Sequence, residues 1–158
     1  MSRLDSMLRR LSAQRDGLNW AARQITGIPG DVLDMGLGNG RTYDHLRKIL
    51  PGRRIWVMDR VLQCHPSCVP PAEDFLQGEA EQMLSRLVDQ GARIVMAHYD
   101  FGRGIKDEDV AEAARLSPQI AAVMSPGGLI VSGQPLTGFK QVAGPETIAS
   151  DRYLFYRT

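Results

Sequence analysis

Cysteine is nearly absent from this chain: two in 158 residues, too few for a disulfide framework. Both lie in the run Cys64-His65-Pro66-Ser67-Cys68. A closed structural zinc site takes four ligands and no second cluster exists, so the pair reads as reduced thiols in a proline-containing loop, with no metal. Charge of one sign is also lacking. Nineteen basic residues face eighteen acidic ones and the two are interspersed, leaving a net charge of +1. Without a basic stripe for phosphates, a nucleic-acid partner is not expected. No apolar run approaches the length of a membrane span, so no membrane partner is expected either. Asp5, Arg9, Arg10 and Arg15 interrupt what a signal peptide would need as its apolar core. The expectation is a cytoplasmic protein. Internal repeats and low-complexity segments are missing, and the length suits one domain with a full core.

Glycine, by contrast, is plentiful and unevenly placed. The run Val32–Gly40 is a short apolar stretch ending in Asp34, after which Gly36, Gly38 and Gly40 alternate with other residues. A helical pattern starts at about Arg41, with Tyr43, Leu46, Ile49 and Leu50 on one face and Pro51-Gly52 as its stop. The pattern predicts a buried strand, a tight turn and a helix N-terminus. Glycine there lets a ligand approach the backbone, and the helix end favours an anionic group. Arg54–Met58 reads as a second buried strand ending at Asp59. Together these form one βαβ unit, with Asp34 and Asp59 at the carboxyl ends where ligands of parallel sheets bind.

The dinucleotide fingerprint G-x-G-x-x-G would place its third glycine at position 41, which is arginine. The spacing Asp34-x-Gly36-x-Gly38-x-Gly40 instead resembles the S-adenosylmethionine (SAM) site of the class I methyltransferases. Within that family it resembles a small bacterial group of unassigned substrate. The resemblance implies an α/β fold: a Rossmann-like, doubly wound, mostly parallel sheet. It implies cofactor contacts from Asp34, Gly36, Leu37, Gly38 and Gly40, and ribose hydrogen bonds from Asp59 beside Arg60. In Phe75–Ala80 a short strand, a glycine and an acid are similar to the family's adenine-binding place, implicating Glu79 and Ala80. Glu79 equally suits the N-terminus of a helix through Met83, Leu84, Leu87 and Val88.

Around these motifs the order is regular. Residues 3–25 carry Leu4, Met7, Leu8, Leu11, Leu18, Ala21, Ala22 and Ile25 at helical spacing, with a break expected at Gly17. This segment either packs on the domain or covers the site, and Trp20 would then wall a substrate pocket. Proline at 66, 70 and 71 makes residues 61–73 a poor helix, where the family usually has one. Arg93–Ala97 is the fourth strand and runs into His98-Tyr99-Asp100-Phe101-Gly102-Arg103-Gly104. Asp107 caps a helix towards Arg115, and Ser117-Pro118 starts a second segment ended by Ser125–Gly128. Leu129–Val131 is the fifth strand, entered by a Pro126-Gly127-Gly128 turn similar to the family's. Phe139–Val142 and Tyr153–Tyr156 read as an antiparallel hairpin, because the connection from the fifth strand is too short for a parallel crossover.

The expected organisation is a single domain, with 1–28 a helical cover and 29–158 the Rossmann-like core. The expected function is methyl transfer from SAM to an oxygen or nitrogen of a small molecule. His98 is the candidate base, since imidazole titrates near neutrality, with Tyr99 and Asp100 orienting it or the substrate and Arg103 holding an anionic substrate group. His98 contacting the cofactor, or serving only as a structural histidine, are the other readings. The alternative of a different class is a non-catalytic adenosyl-binding regulator. A nucleotide-dependent oxidoreductase is disfavoured by the glycine spacing. The short connection after the fifth strand lacks a covering helix, so apolar sheet surface should lie open for a partner subunit. A homo-oligomer is expected, with Leu4, Met7, Leu8 and Leu11 as its contact.

Overall fold

The computed structural model describes residues 1–158. Strands β1 (Asp31–Met35), β2 (Ile55–Asp59), β3 (Phe75–Gln77), β4 (Ile94–Tyr99) and β5 (Met124–Ser132) are rich in Val, Ile, Leu and Met. β6 (Lys140–Val142) and β7 (Leu154–Arg157) complete a seven-stranded sheet of order β3-β2-β1-β4-β5-β7-β6. The first five strands are parallel; β7 runs antiparallel to both β5 and β6. The short connection after β5 therefore turns back, as the sequence requires.

Helices cover both faces, so the central strands are buried on two sides and read as continuous apolar runs. On one face α1 (Arg3–Gln24), the Ile25 that follows it and α2 (Arg41–Ile49) set Leu18, Ala21, Ile25 and Leu46 against Val32, Val57, Met96, Val131 and Phe155. On the other, α3 (Ala80–Asp89) and α4 (Lys106–Val123) set Leu84, Leu87, Leu116 and Ile120 against Leu33, Met35, Met58 and Ile130.

Four details differ from the sequence reading. First, α1 does not break at Gly17. A Cβ there would lie 3.2 Å from the Phe155 ring, so this glycine allows close packing rather than a bend. Second, α4 runs through Ser117-Pro118. The Ser117 hydroxyl donates to the Ala113 carbonyl (2.7 Å) and accepts the Thr137 amide (3.0 Å), so it ties the helix to a loop instead of starting a new one. Third, Ser125–Gly128 belongs to β5, which opens with a register shift against β4. Fourth, the sheet surface near β5 and β7 is not open. The second half of α1 closes it, burying Leu129, Val131 and Phe155. The first half of that helix stays bare, with Leu4, Met7 and Leu8 at 66%, 58% and 56% exposure.

Candidate functional site

The turn from β1 into α2 uses its glycines for three separate reasons. All have positive φ: +104° at Gly36, +49° at Gly38 and +86° at Gly40. A Cβ at Gly36 would meet the Asp100 carbonyl at 3.0 Å, so that glycine admits the end of β4. A Cβ at Gly40 would fall on the Cβ of Cys68, with that of Cys64 beside it. The cysteine loop thus packs against Gly40, fixed by the His65 amide on the Asn39 carbonyl (3.1 Å). Only at Gly38 does a Cβ meet nothing within 4 Å. There the backbone is bare because the space beyond it is open.

That space is a cleft at the carboxyl ends of the strands. One part, about 290 Å³, runs past Gly36, Leu37, Gly38, Asn39 and Asp59 to Arg10, Gln14 and Asp100. The other, about 140 Å³, lies between Asp59, Gly78, Ala80, Phe101 and Arg103. Asp59 borders both. Its carboxylate accepts the Gly38 amide (3.0 Å) and the Arg60 amide (2.7 Å), which fixes it at the middle of the cleft. Glu79 turns aside: its carboxylate pairs with the Arg60 guanidinium at 3.0 Å, while Gly78 and Ala80 form the wall.

Beneath the cleft runs an unbroken chain of polar groups, buried except for Asp100 at its end. Asp34 and His98 are register neighbours on β1 and β4, and both are 0% exposed. Thr42 donates to Asp34 Oδ2 (3.1 Å), and Asp34 Oδ1 meets His98 Nδ1 at 2.7 Å. His98 Nε2 meets the Tyr153 hydroxyl at 3.0 Å. That hydroxyl reaches Asp100 Oδ1 at 3.4 Å, and Gln14 Nε2 donates to both Tyr153 (3.0 Å) and Asp100 Oδ2 (2.8 Å). Burial alone would push the imidazole pKa down, but the hydrogen bond and charge of Asp34, with Asp100 behind it, outweigh that and raise it above 6.5. Burial, reinforced by Asp100, pushes the Tyr153 phenol well above its ordinary value, so it stays protonated.

Because the folded imidazole holds its proton more tightly than the unfolded one, its contribution to stability is complete below about pH 6.5. That contribution is lost as pH rises through the folded value. Urea unfolding across this range should show it, and His98→Gln should flatten the slope. An unchanged slope would assign the pH dependence elsewhere.

The structure places five of the expected site residues differently from the sequence reading. His98 is sealed off with both ring nitrogens engaged, and it does not line the cleft. Asp34 is likewise a buried partner and does not line the cleft. Tyr99 points to the opposite face of the sheet, as alternation demands, and packs edge-on to Phe101 with its hydroxyl unpartnered. Trp20 lies edge-on to Phe155, outside the cleft, and Arg103 borders the Ala80 side, away from Asp100. Asp100 alone of the expected acid–base residues reaches the cleft. Sequence reasoning missed Gln14, Arg10 and Tyr153. The one signal for Gln14 was an amide on the apolar stripe of an amphipathic helix; Tyr153 gave none beyond being aromatic.

A family model for S-adenosyl-L-methionine methyltransferases matches residues 1–158. Among solved structures, the chain is similar to an S-adenosyl-L-methionine methyl transferase from Silicibacter pomeroyi DSS-3. The two share 32% identity over 99% of this chain and 98% of that one, with a TM-score of 0.93. More distant structures share the fold. Human methyltransferase-like protein 13 in complex with SAH, the demethylated product, is 10% identical over 97% of this chain and 79% of its own (TM-score 0.53). The plantazolicin methyltransferase BpumL in complex with SAH is 13% identical over 82% of this chain and 49% of its own (TM-score 0.53). No curated protein matches.

Proposed function

The chain belongs to the S-adenosyl-L-methionine methyltransferase family and uses SAM as methyl donor; from that premise we propose that it methylates an oxygen or nitrogen of a small molecule at the Asp100 end of the cleft. The observation that carries the placement is the Gly38 turn, where a side chain would meet nothing within 4 Å and whose amide is held by the Asp59 carboxylate. A vicinal diol can donate both hydroxyls to such a carboxylate, so Asp59 holds the ribose. The adenine then lies along Gly78, Ala80 and Phe101, with Arg60 and Glu79 paired at its edge. The methionine end lies along Gly36–Asn39. Bound there, SAM supplies an electrophilic methyl on a sulfonium. The chain's part is to hold the nucleophile in line, which is worth up to about 7–11 kcal/mol of barrier. Asp100, fixed by Gln14 and Tyr153, takes the acceptor's proton. A small acceptor, and not a nucleic acid, is supported by the size of the cleft and the absence of a basic stripe.

Asp59→Ala tests this. Losing hydrogen bonds to a charged group should weaken SAM binding by about 1.5–3 kcal/mol in a folded protein. Calorimetry giving wild-type affinity would remove Asp59 from the site.

In the same reading the protein is cytoplasmic, residues 1–28 form the cover of a single domain, and two chains associate through the bare half of α1. Support for the association comes from Leu4, Met7 and Leu8, exposed on one stripe that continues to Leu11 at the cleft. Light scattering at micromolar concentration should give twice the 17.5 kDa chain mass. A value at the single-chain mass would make that stripe a free edge of the cover.

A further inference from the structure

Methyl transfer from a sulfonium to a neutral nucleophile moves one positive charge. The bond from sulfur to the methyl carbon breaks with its electron pair left on sulfur, the bond from the nucleophile to carbon forms, and the nucleophile's proton must leave. At the cleft that proton meets Asp100, and behind Asp100 stand three groups sealed from water. We propose that Asp34, His98 and Tyr153 form a proton store for this reaction, empty when SAM is in the cleft and filled when SAH replaces it.

The hydrogen-bond geometry accommodates both states without moving a heavy atom. In the filled state both ring nitrogens of His98 carry hydrogen. Nδ1–H donates to Asp34 at 2.7 Å, Nε2–H donates to the Tyr153 oxygen at 3.0 Å, and the Tyr153 hydroxyl donates to Asp100 at 3.4 Å. In the empty state the Tyr153 hydroxyl turns and donates to an unprotonated Nε2 across the same 3.0 Å. Gln14 donates to the Tyr153 oxygen and to Asp100 in either state and keeps them together. Filling is then a short relay. Asp100 takes the acceptor's proton, Tyr153 gives its own proton to His98 Nε2, and Tyr153 regains one from Asp100. The positive charge lost at sulfur reappears on the imidazole, paired with Asp34.

The charges around His98 give this exchange its sign. β1 supplies Asp34, the end of β4 supplies Asp100 and α1 supplies Arg10, whose guanidinium lies 3.9 Å from Asp100. α2 contributes the uncharged Thr42, β5 contributes Val131 as the register neighbour, and the segment before β7 contributes Tyr153. Two carboxylates thus hold the imidazolium, and one of them also faces the cleft. A cation arriving beside Asp100 offsets that carboxylate and favours release of the His98 proton. SAM carries one positive charge more than SAH, so only SAM should empty the store.

The proposal rests on the cofactor lying in the cleft beside Asp100, and it is testable with SAM and SAH alone. The chain has three histidines, so ring-labelled His98 can be followed by NMR with His45 and His65 as internal references. Its titration midpoint should fall by about one pH unit when SAM binds, the effect of one charge at about 10 Å in a protein interior, and return with SAH. Titration calorimetry in two buffers of different ionisation enthalpy should show proton release with SAM and none with SAH. Asp100→Asn should lower the midpoint in the unliganded protein by about one unit, leaving His45 and His65 in place. SAM binding with no displacement of the His98 midpoint would overturn the store while leaving the cofactor site standing. A His98 that holds one protonation state from about pH 5 to 9 in all three forms would overturn it as well. Failure of SAM to bind at all would overturn the cofactor placement and the store together.

Discussion

His98→Ala should cost about 3–5 kcal/mol of folding stability, the penalty for leaving a buried charged partner alone. The reason lies in what surrounds the ring. Asp34 is fully buried, and without His98 it retains one side-chain donor, Thr42 at 3.1 Å. Tyr153 would lose its Nε2 partner in the same substitution. The ring also fills volume between Asp34 and Val131 on the α1/α2 face, so a cavity adds to the loss. Urea unfolding should show a lower midpoint with an unchanged slope, the mark of lost stability rather than an altered unfolded state. The double substitution Asp34→Val with His98→Leu should be milder than His98→Ala, because an apolar pair of similar volume leaves no charge behind. If the double variant is as unstable as the sum of the two single ones, the pair is not acting as a unit.

This buried chain also marks where sequence reading ran out. The strand–turn–helix at Val32–Gly40 was legible because alternating glycines after a buried run have few other uses. The position of Asp59 was legible because it ends the next strand, at the carboxyl end that borders the cleft. The topology followed from connection lengths: long ones between the first five strands, a short one after β5. His98 and Asp34 were visible as residues but not as partners. Strand pairing sets them side by side across sixty-four positions, and no local pattern encodes that register. Tyr99 was misassigned although the same alternation that aims His98 at α1 sends its neighbour to α4. Tyr153 and Gln14 come from opposite ends of the chain, and only the packing of α1 over β5 and β7 joins them. Gly17 and Pro118 illustrate the reverse failure. Each is a local breaker that tertiary contacts override, Gly17 through Phe155 and Ser117-Pro118 through Thr137.

Gly38→Val should abolish measurable SAM binding, a loss of at least about a hundredfold, while the protein remains folded. The expectation comes from the unequal surroundings of the three glycines. At Gly38 a side chain enters open space, so folding loses only the cost of a positive φ, of order 1–2 kcal/mol for a residue with a Cβ. That open space is the cleft itself, and branched methyl groups there occupy the path of the ligand against the backbone. Gly40→Ala should behave in the opposite way. Its Cβ has no room beside Cys68 and Cys64, so stability falls and binding falls with it. Cys68→Gly should restore part of the lost stability in the Gly40→Ala background, since it removes the atom that the new methyl strikes. Thermal unfolding and calorimetric titration of the variants, taken together, separate the two roles. Gly38→Val should lose affinity at near-normal stability, and Gly40→Ala should lose stability first. A Gly38→Val protein that binds SAM normally would mean that the turn is shaped by packing alone, and the cofactor would have to lie elsewhere along the strand ends.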